Sequence, residues 1–165
     1  MPLAGRDGSA PLSFSPSLTI KLFMNETSFW DRFVESAKLV TQNPNHPALA
    51  NVQQIKDGVN LTDDNGDTPL MLSSRIGHTE ASKILLGMGA NIDAQNIDGI
   101  TALMLAVHNN HVEVVKLLLD NKANVNLNAG GGLTALRTAK VGTSLTKIFV
   151  RSKILALLRG AGARE

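Results

Sequence analysis

The chain of 165 residues contains no cysteine and no tyrosine, and its aromatic side chains are limited to five phenylalanines and one tryptophan. Without cysteine, the protein has no thiol nucleophile, no disulfide and no thiolate metal site. An aromatic share of 4% argues against modules that stack bases or sugars on aromatic rings. The hydrophobic share of 43% is nevertheless large enough to bury the core of one domain or of a short repeat array.

Motifs of enzyme and cofactor sites are also missing from the sequence. No H-E-x-x-H, G-x-S-x-G, P-loop or G-x-G-x-x-G pattern occurs. The histidines lack the spacing and the acidic companions of a metal site, and they are His46, His78, His108 and His111. We therefore expect no enzymatic activity, no metal and no cofactor, and a structural role for His78 and His111 at the repeat's turn position.

Four oxygen-bearing side chains lie close together at Asp63, Asp64, Asn65 and Asp67. Such a group can start a calcium loop, but the distal bidentate Glu of that loop is absent here. Asp and Asn are also common in turns because their side chains accept hydrogen bonds from the backbone nearby. We interpret the group as a turn.

Residues 1–26 are predicted to form a flexible leader or an arm that docks elsewhere. Prolines and serines, such as Pro11, Ser13 and Pro16, interrupt the apolar residues that a signal peptide would need. No apolar run reaches the length of about eighteen residues that indicates a transmembrane helix. We expect a cytoplasmic location, with secretion as a bacterial effector as the alternative.

The sequence aligns with itself at an offset of 33 residues. The segment Gly66-Asp67-Thr68-Pro69-Leu70-Met71 recurs in altered form at 99–104 and at 132–137. Thr68 is placed to cap a first helix, and Pro69 occupies a position where a missing N–H is harmless. Gly77 and His78 separate this helix from a second one, which Gly89 ends. Two helices this short cannot bury an apolar face alone, so the units must stack.

These units resemble the ankyrin repeat in the spacing of about a dozen positions. The resemblance covers 63–95 and 96–128, and it implies an all-α solenoid of helix-turn-helix units joined by β-turn or hairpin loops. Two features depart from the family pattern. Its helix-opening His is replaced by Met71, Met104 and Arg137, so the hydrogen bonds of that His must be missing or replaced. Lys122 stands where Gly is usual, which costs about 1 kcal/mol if this residue is left-handed.

The two ends of the array are predicted to be modified repeats that act as caps. Residues 27–62 are interpreted as a degenerate N-capping repeat with one helix near 27–40 and a second at 45–58. The last unit, 129–165, contains seven extra residues, close to two helical turns. We favour a lengthened second helix from Ser144 to Arg159 with Phe149 on its apolar stripe, and the alternative is a longer loop at 142–144. The turn at 129–132 is expected to be a loose connection.

The net charge of +2 is unevenly distributed. Residues 1–136 carry nine Lys/Arg and thirteen Asp/Glu, whereas 137–165 carry seven Lys/Arg and only Glu165. This basic end gives an alternative function, an electrostatic adaptor that contacts nucleic acid or an anionic membrane. The opposing interpretation is a soluble cap whose cations suit a helix C-terminus. The cations concerned are Lys140, Lys147, Arg151, Lys153, Arg159 and Arg164.

The ankyrin resemblance implies a monomeric protein-protein interaction module that binds another protein through its loop tips and the exposed side of each first helix. Apolar residues at solvent-facing positions, Ile97, Ile100 and Leu133, mark the expected contact patch. The full set of candidate partner-binding residues is Asp64, Asn65, Asp67, Arg75, Ile76, Ile97, Asp98, Ile100, His108, Asn109, Leu133 and Lys140.

Overall fold

A computed structural model describes residues 27–43, 56–141 and 148–164 of the chain. Within these residues the secondary structure is helical, apart from one isolated β-bridge. The predicted leader, most of the predicted helix at 45–58 and the start of the predicted long helix lie outside them. The helices are α1 Thr27–Gln42, α2 Pro69–Ile76, α3 Thr79–Gly87, α4 Ala102–His108, α5 Val112–Asp120, a 3₁₀ turn Gly130–Gly132, α6 Ala135–Lys140 and α7 Ile148–Gly160.

The helices stack in two rows, as expected for an all-α repeat solenoid. Helices α2, α4 and α6 contact one another in order and form the first-helix row, while α3, α5 and α7 form the second-helix row. The core lies between the rows and includes Leu70, Leu85, Leu103, Leu118 and Leu136. Among the described helices, α1 packs against α3 and extends the second-helix row. A single capping repeat at 27–62 stays a prediction, because 44–55 lie outside the described residues.

Threonine caps begin the three first helices at intervals of 33 residues. Thr68 Oγ1 accepts a hydrogen bond from Met71 N at 3.3 Å, and Thr101 and Thr134 cap α4 and α6 in the same way. The N–H of Thr68 donates in return to the sulfur of Met71 at 3.5 Å. The methionine that replaces the family histidine thus supplies an acceptor, although thioether sulfur is a weak one.

The turn histidines connect neighbouring helices. His111 Nε2 donates to the carbonyl of Arg75 at 3.0 Å, which joins the second repeat to the end of α2. His78 Nδ1 accepts from Ala81 N, so its Nε2 carries the proton and donates to Asp31 in α1 at 3.0 Å. Both histidines therefore have the structural role predicted for them.

A ladder of side-chain hydrogen bonds shows where the extra residues of the last repeat are accommodated. Asn60 and Asp93 each accept from a backbone N–H that lies 31 residues further along, whereas Asn126 accepts from Arg164, 38 residues further along. Helix α7 has 13 residues and α5 has nine. Within the described residues α7 is therefore four residues longer than α5, in agreement with the prediction for 148–159.

The predicted apolar stripe of this helix is only partly right. Leu158 is fully buried and Leu155 is half-buried, but Phe149 is 88% exposed and Ile154 takes the other fully buried position. Phe149 lies in the part of α7 that exceeds the length of α5, so α5 provides no turn for it to pack against. The sequence pattern therefore predicted an apolar stripe that is longer than the part of α7 that α5 can bury.

Serines replace apolar residues in the core of the first repeat. Ser73, Ser74 and Ser82 are fully buried, at positions that Ala106, Val107 and Val115 occupy in the second repeat. Ser73 and Ser82 share a hydrogen bond of 2.9 Å, but Ser74 Oγ has no partner among the described residues. Because a buried unpaired hydroxyl is destabilising, we expect the first repeat to be less stable than the second.

Replacement of Lys122 by glycine should stabilise the protein. Lys122 has a φ of 67°, and the residues in register with it, Gly89 and Gly162, have φ of 91° and 87°. Lys122→Gly removes the left-handed strain and should raise the free energy of unfolding by about 1 kcal/mol in a urea titration. Lys122→Ala is the matched control, because it removes the charge and keeps the Cβ. An equal gain from both variants would contradict this explanation.

Candidate partner-binding surface

Three hairpin tips, residues 63–67, 96–100 and 129–133, lie side by side, and we call them the tip row. Each tip is closed by the same backbone hydrogen bond between its first and fifth residues, with N···O distances of 3.1, 3.1 and 2.8 Å. The expectation of a loose third connection is therefore wrong. Its glycines allow a closed tip, since Gly131 and Gly132 both have a φ of 72°.

Side-chain oxygens fix the first two tips from inside. Asp63 Oδ1 accepts from the N–H groups of Asn65 and Asp67, both at 2.9 Å. Asn96 Oδ1 accepts in the same way from Asp98 and Ile100. The oxygen-rich group at 63–67 thus forms a turn, as predicted. The described residues contain no cluster of His, Asp or Glu that could hold a metal ion.

Backbone hydrogen bonds also join each tip to the next. The N–H of Ile97 donates to Asn65 O at 3.2 Å, and the N–H of Gly130 donates to Asp98 O at 3.0 Å. A side chain at Gly66 would come within 2.9 Å of Ile97 N, so only glycine allows this approach. The tips therefore form one continuous, ordered row.

Seven of the twelve candidate residues are exposed on this row or at the ends of first helices. Ile97 is 74% exposed at the second tip. The other six comprise three on the tips and three at the ends of α4 and α6, and they are Asp64, Asn65, Asp98, His108, Asn109 and Lys140. The row brings Asn65, Ile97 and Asp98 together.

The expectation that Asp67 faces a partner is wrong. Asp67 is only 3% exposed. Its carboxylate pairs with Arg75 at 3.2 Å and accepts a hydrogen bond from Asn96 Nδ2 at 2.7 Å. Asp67 and the half-buried Arg75 therefore hold the first tip against α2 and the second tip. A carboxylate that takes two partners within the protein can lie below the surface without an unpaired charge.

The expectation that Ile100 and Leu133 are solvent-facing contacts also needs correction. Both side chains are half-buried and pack against the core, as does Ile76. Ile100 and Leu133 are the fifth residues of their tips, where the chain turns back toward the first helix. Ile97, the second residue of its tip, is thus the exposed apolar side chain of the tip row.

Part of the basic end is used to complete the fold. Arg151 Nη1 donates to the carbonyls of Ala139 (3.3 Å) and Val141 at the end of α6. In the earlier repeats, the carbonyls in register with Ala139 accept from the backbone N–H of His78 and His111. In the last repeat, Arg151 donates to the carbonyl at this position. Lys147 lies outside the described residues, so the predicted shared face of Lys147 and Arg151 stays a prediction.

Arg137 is a surface residue that the sequence analysis did not assign to the site. It is in register with the buried Met71 and Met104, but it is exposed because no further helix pair covers it among the described residues. Its Nη1 donates to Gly132 O at 3.0 Å, which places the guanidinium beside the third tip. The sequence could have indicated this exposure, because Arg137 is a charged residue at a position where the earlier repeats have methionine.

A shallow groove of about 440 Å³ lies between α5 and α7. Its lining includes Lys116, Leu119, Lys153 and Leu157, and it contains none of the candidate partner-binding residues. Lys153 Nζ lies 3.9 Å from Glu113 across the same two helices.

None of the helices in the described ranges is both long and apolar enough to cross a membrane.

The stacked helix pairs, the Thr caps and the paired tips define a protein of the stacked-repeat class. The family model described as "Ankyrin repeats (3 copies)" matches residues 38–129, more than half of the chain. The chain therefore belongs to the ankyrin-repeat family, whose members are generally protein-protein interaction modules. A comparison with curated proteins finds no match.

Proposed function

We propose that this protein is a scaffold-type module that binds one partner protein through the tip row and the neighbouring ends of α4 and α6. The observation that carries the proposal is the exposure of Ile97, which is 74% accessible on a tip held by backbone bonds to both neighbouring tips. An apolar side chain on a rigid, exposed loop is typical of a contact that a partner covers. The cytoplasmic location and the monomeric state expected from the sequence are part of this proposal.

Site-specific photo-crosslinking tests the proposed surface. A photoreactive amino acid replaces Ile97 in one variant and Lys83, an exposed residue of α3, in the control. In lysate of the source cell, the variant at 97 should form one major adduct that the control does not form, and mass spectrometry identifies it. Excess unlabelled wild type should compete for this adduct at least about tenfold better than Ile97→Glu, since a new charge in an apolar contact costs more than about 1.4 kcal/mol.

Ile97→Glu is preferred to a charge at Ile100 or Leu133, because those side chains pack against the core and their replacement would disturb folding as well as binding. Equal adducts at 97 and 83, or equal competition by the two proteins, would show that the tip row is not the binding surface. The electrostatic adaptor has no specific support in the described residues, because Arg151 is used within the fold and Lys153 lies near Glu113.

A further inference from the structure

The charge of the tip row changes sign along the array. The first tip carries Asp63 and Asp64 in addition to Asp67, whose charge Arg75 balances. The second tip carries Asp98 and no cation. Two neighbouring tips joined by backbone bonds are therefore negatively charged, and this end of the surface attracts cations.

A positive charge lies beside the third tip. It consists of Ala129, three glycines and Leu133, none of which is charged, and the guanidinium of Arg137 is bonded to Gly132 O. Residues 121–164, which include the third tip and α6, contain no Asp or Glu. Because the carbonyl of Gly132 is uncharged, the hydrogen bond orients Arg137 and leaves its positive charge for an anion.

Ile97 lies between these two ends. Its N–H bonds to the first tip, and the following residue, Asp98, bonds to the third tip. Along the row, the first tip is thus acidic, the second tip presents Ile97 together with Asp98, and the third tip lies beside the positive charge of Arg137. A partner with one sign of charge would be repelled at one end, and like charges placed together at an interface are costly.

Building on the proposed function, we infer that the tip row binds an extended segment of a partner protein that carries basic residues at one end, an apolar residue in the middle and acidic residues at the other end. The basic residues lie over the first two tips, the apolar residue contacts Ile97, and the acidic residues contact Arg137. Complementary charge at both ends sets the register of the segment and rejects segments of uniform charge.

Synthetic peptides test the inferred partner chemistry. The bipolar probe contains three lysines, a central leucine and three glutamates with Gly-Ser spacers, made in both chain directions, and the reference has lysines in place of the glutamates. Fluorescence anisotropy is measured in about 0.01 M salt, where the Debye length is about 30 Å. One bipolar probe should bind about tenfold tighter than the reference, because the reference places like charges beside Arg137.

Arg137→Glu should reverse this preference, so that the all-lysine reference binds tighter than the bipolar probe. Arg159→Glu is the matched control, because it changes the net charge equally at an exposed site on α7, and it should keep the wild-type preference. Ile97→Ser should weaken the binding of both peptides.

An unchanged preference in Arg137→Glu, or an equal change in Arg159→Glu, would overturn the inference. Crosslinking at 97 by a natural partner would then still support the proposed function, so the two failures are distinguishable. Sedimentation equilibrium gives a further test. A dimer that is dissociated by Ile97→Glu but not by the bipolar probe would also overturn the inference, because a second copy of the chain would then occupy the tip row.

Discussion

Trp30→Ala is expected to lower the free energy of unfolding by about 3–5 kcal/mol, the range for removal of a large aromatic side chain from a core. Trp30 is fully buried and contacts Phe29 and Phe33 edge to face, with ring centroids 5.2 and 5.9 Å away. These rings lie on α1, which packs against α3. The loss should therefore separate α1 from the array as well as leave a cavity.

The measurement is urea unfolding followed by far-UV circular dichroism, with hydrogen exchange of the α1 and α3 amides to locate the loss. Trp30→Phe is the control, because it keeps an aromatic ring in the cluster and should cost much less. Trp30 is also the single tryptophan, so its fluorescence in the wild type reports the docking of α1 directly. A loss below about 1 kcal/mol in Trp30→Ala would show that α1 contributes little to the array.

The repeat architecture could be predicted from the sequence because it depends on local chemistry that recurs every 33 residues. Thr68 and Thr101 have the side chains that cap helices, and Gly89 has the freedom to be left-handed, so each of these residues acts where it stands. The same pattern showed Lys122 where glycine is usual, and this residue is left-handed, with a φ of 67°.

Side-chain exposure in the candidate site was harder to predict, because it depends on distant partners. Asp67 is buried because Asn96 and Arg75 bond to it, and Asn96 is 29 residues away. Arg151 belongs to the fold because it donates to the carbonyl of Ala139, 12 residues away on the preceding helix. A sequence pattern compared position by position carries no information about such hydrogen bonds between distant residues.

Deletion of 144–165 is expected to have the largest effect, the loss of cooperative folding with aggregation. The deletion removes α7, whose Ile154 and Leu158 are fully buried, and it uncovers the sides of α5 and α6 against which α7 packs. Burial of these two side chains alone contributes about 3–6 kcal/mol, comparable with the whole stability of a small domain. The carbonyl of Ala139 would lose Arg151 as its donor in addition.

A chain that ends at Gly160 is the matched control, because it keeps α7 and loses two exposed bonds of Asn126, which donates to Gly162 O and accepts from Arg164 N. Since exposed hydrogen bonds contribute about 1 kcal/mol each at most, this shorter deletion should leave a soluble protein with a single unfolding transition. Size-exclusion chromatography and urea unfolding compare the two chains. If the chain lacking 144–165 stayed soluble and unfolded in one transition with an unchanged m-value, α7 would be dispensable. In a repeat array each unit is stabilised by its neighbours. That result would mean that the second repeat is stable without the packing of α7 against α5.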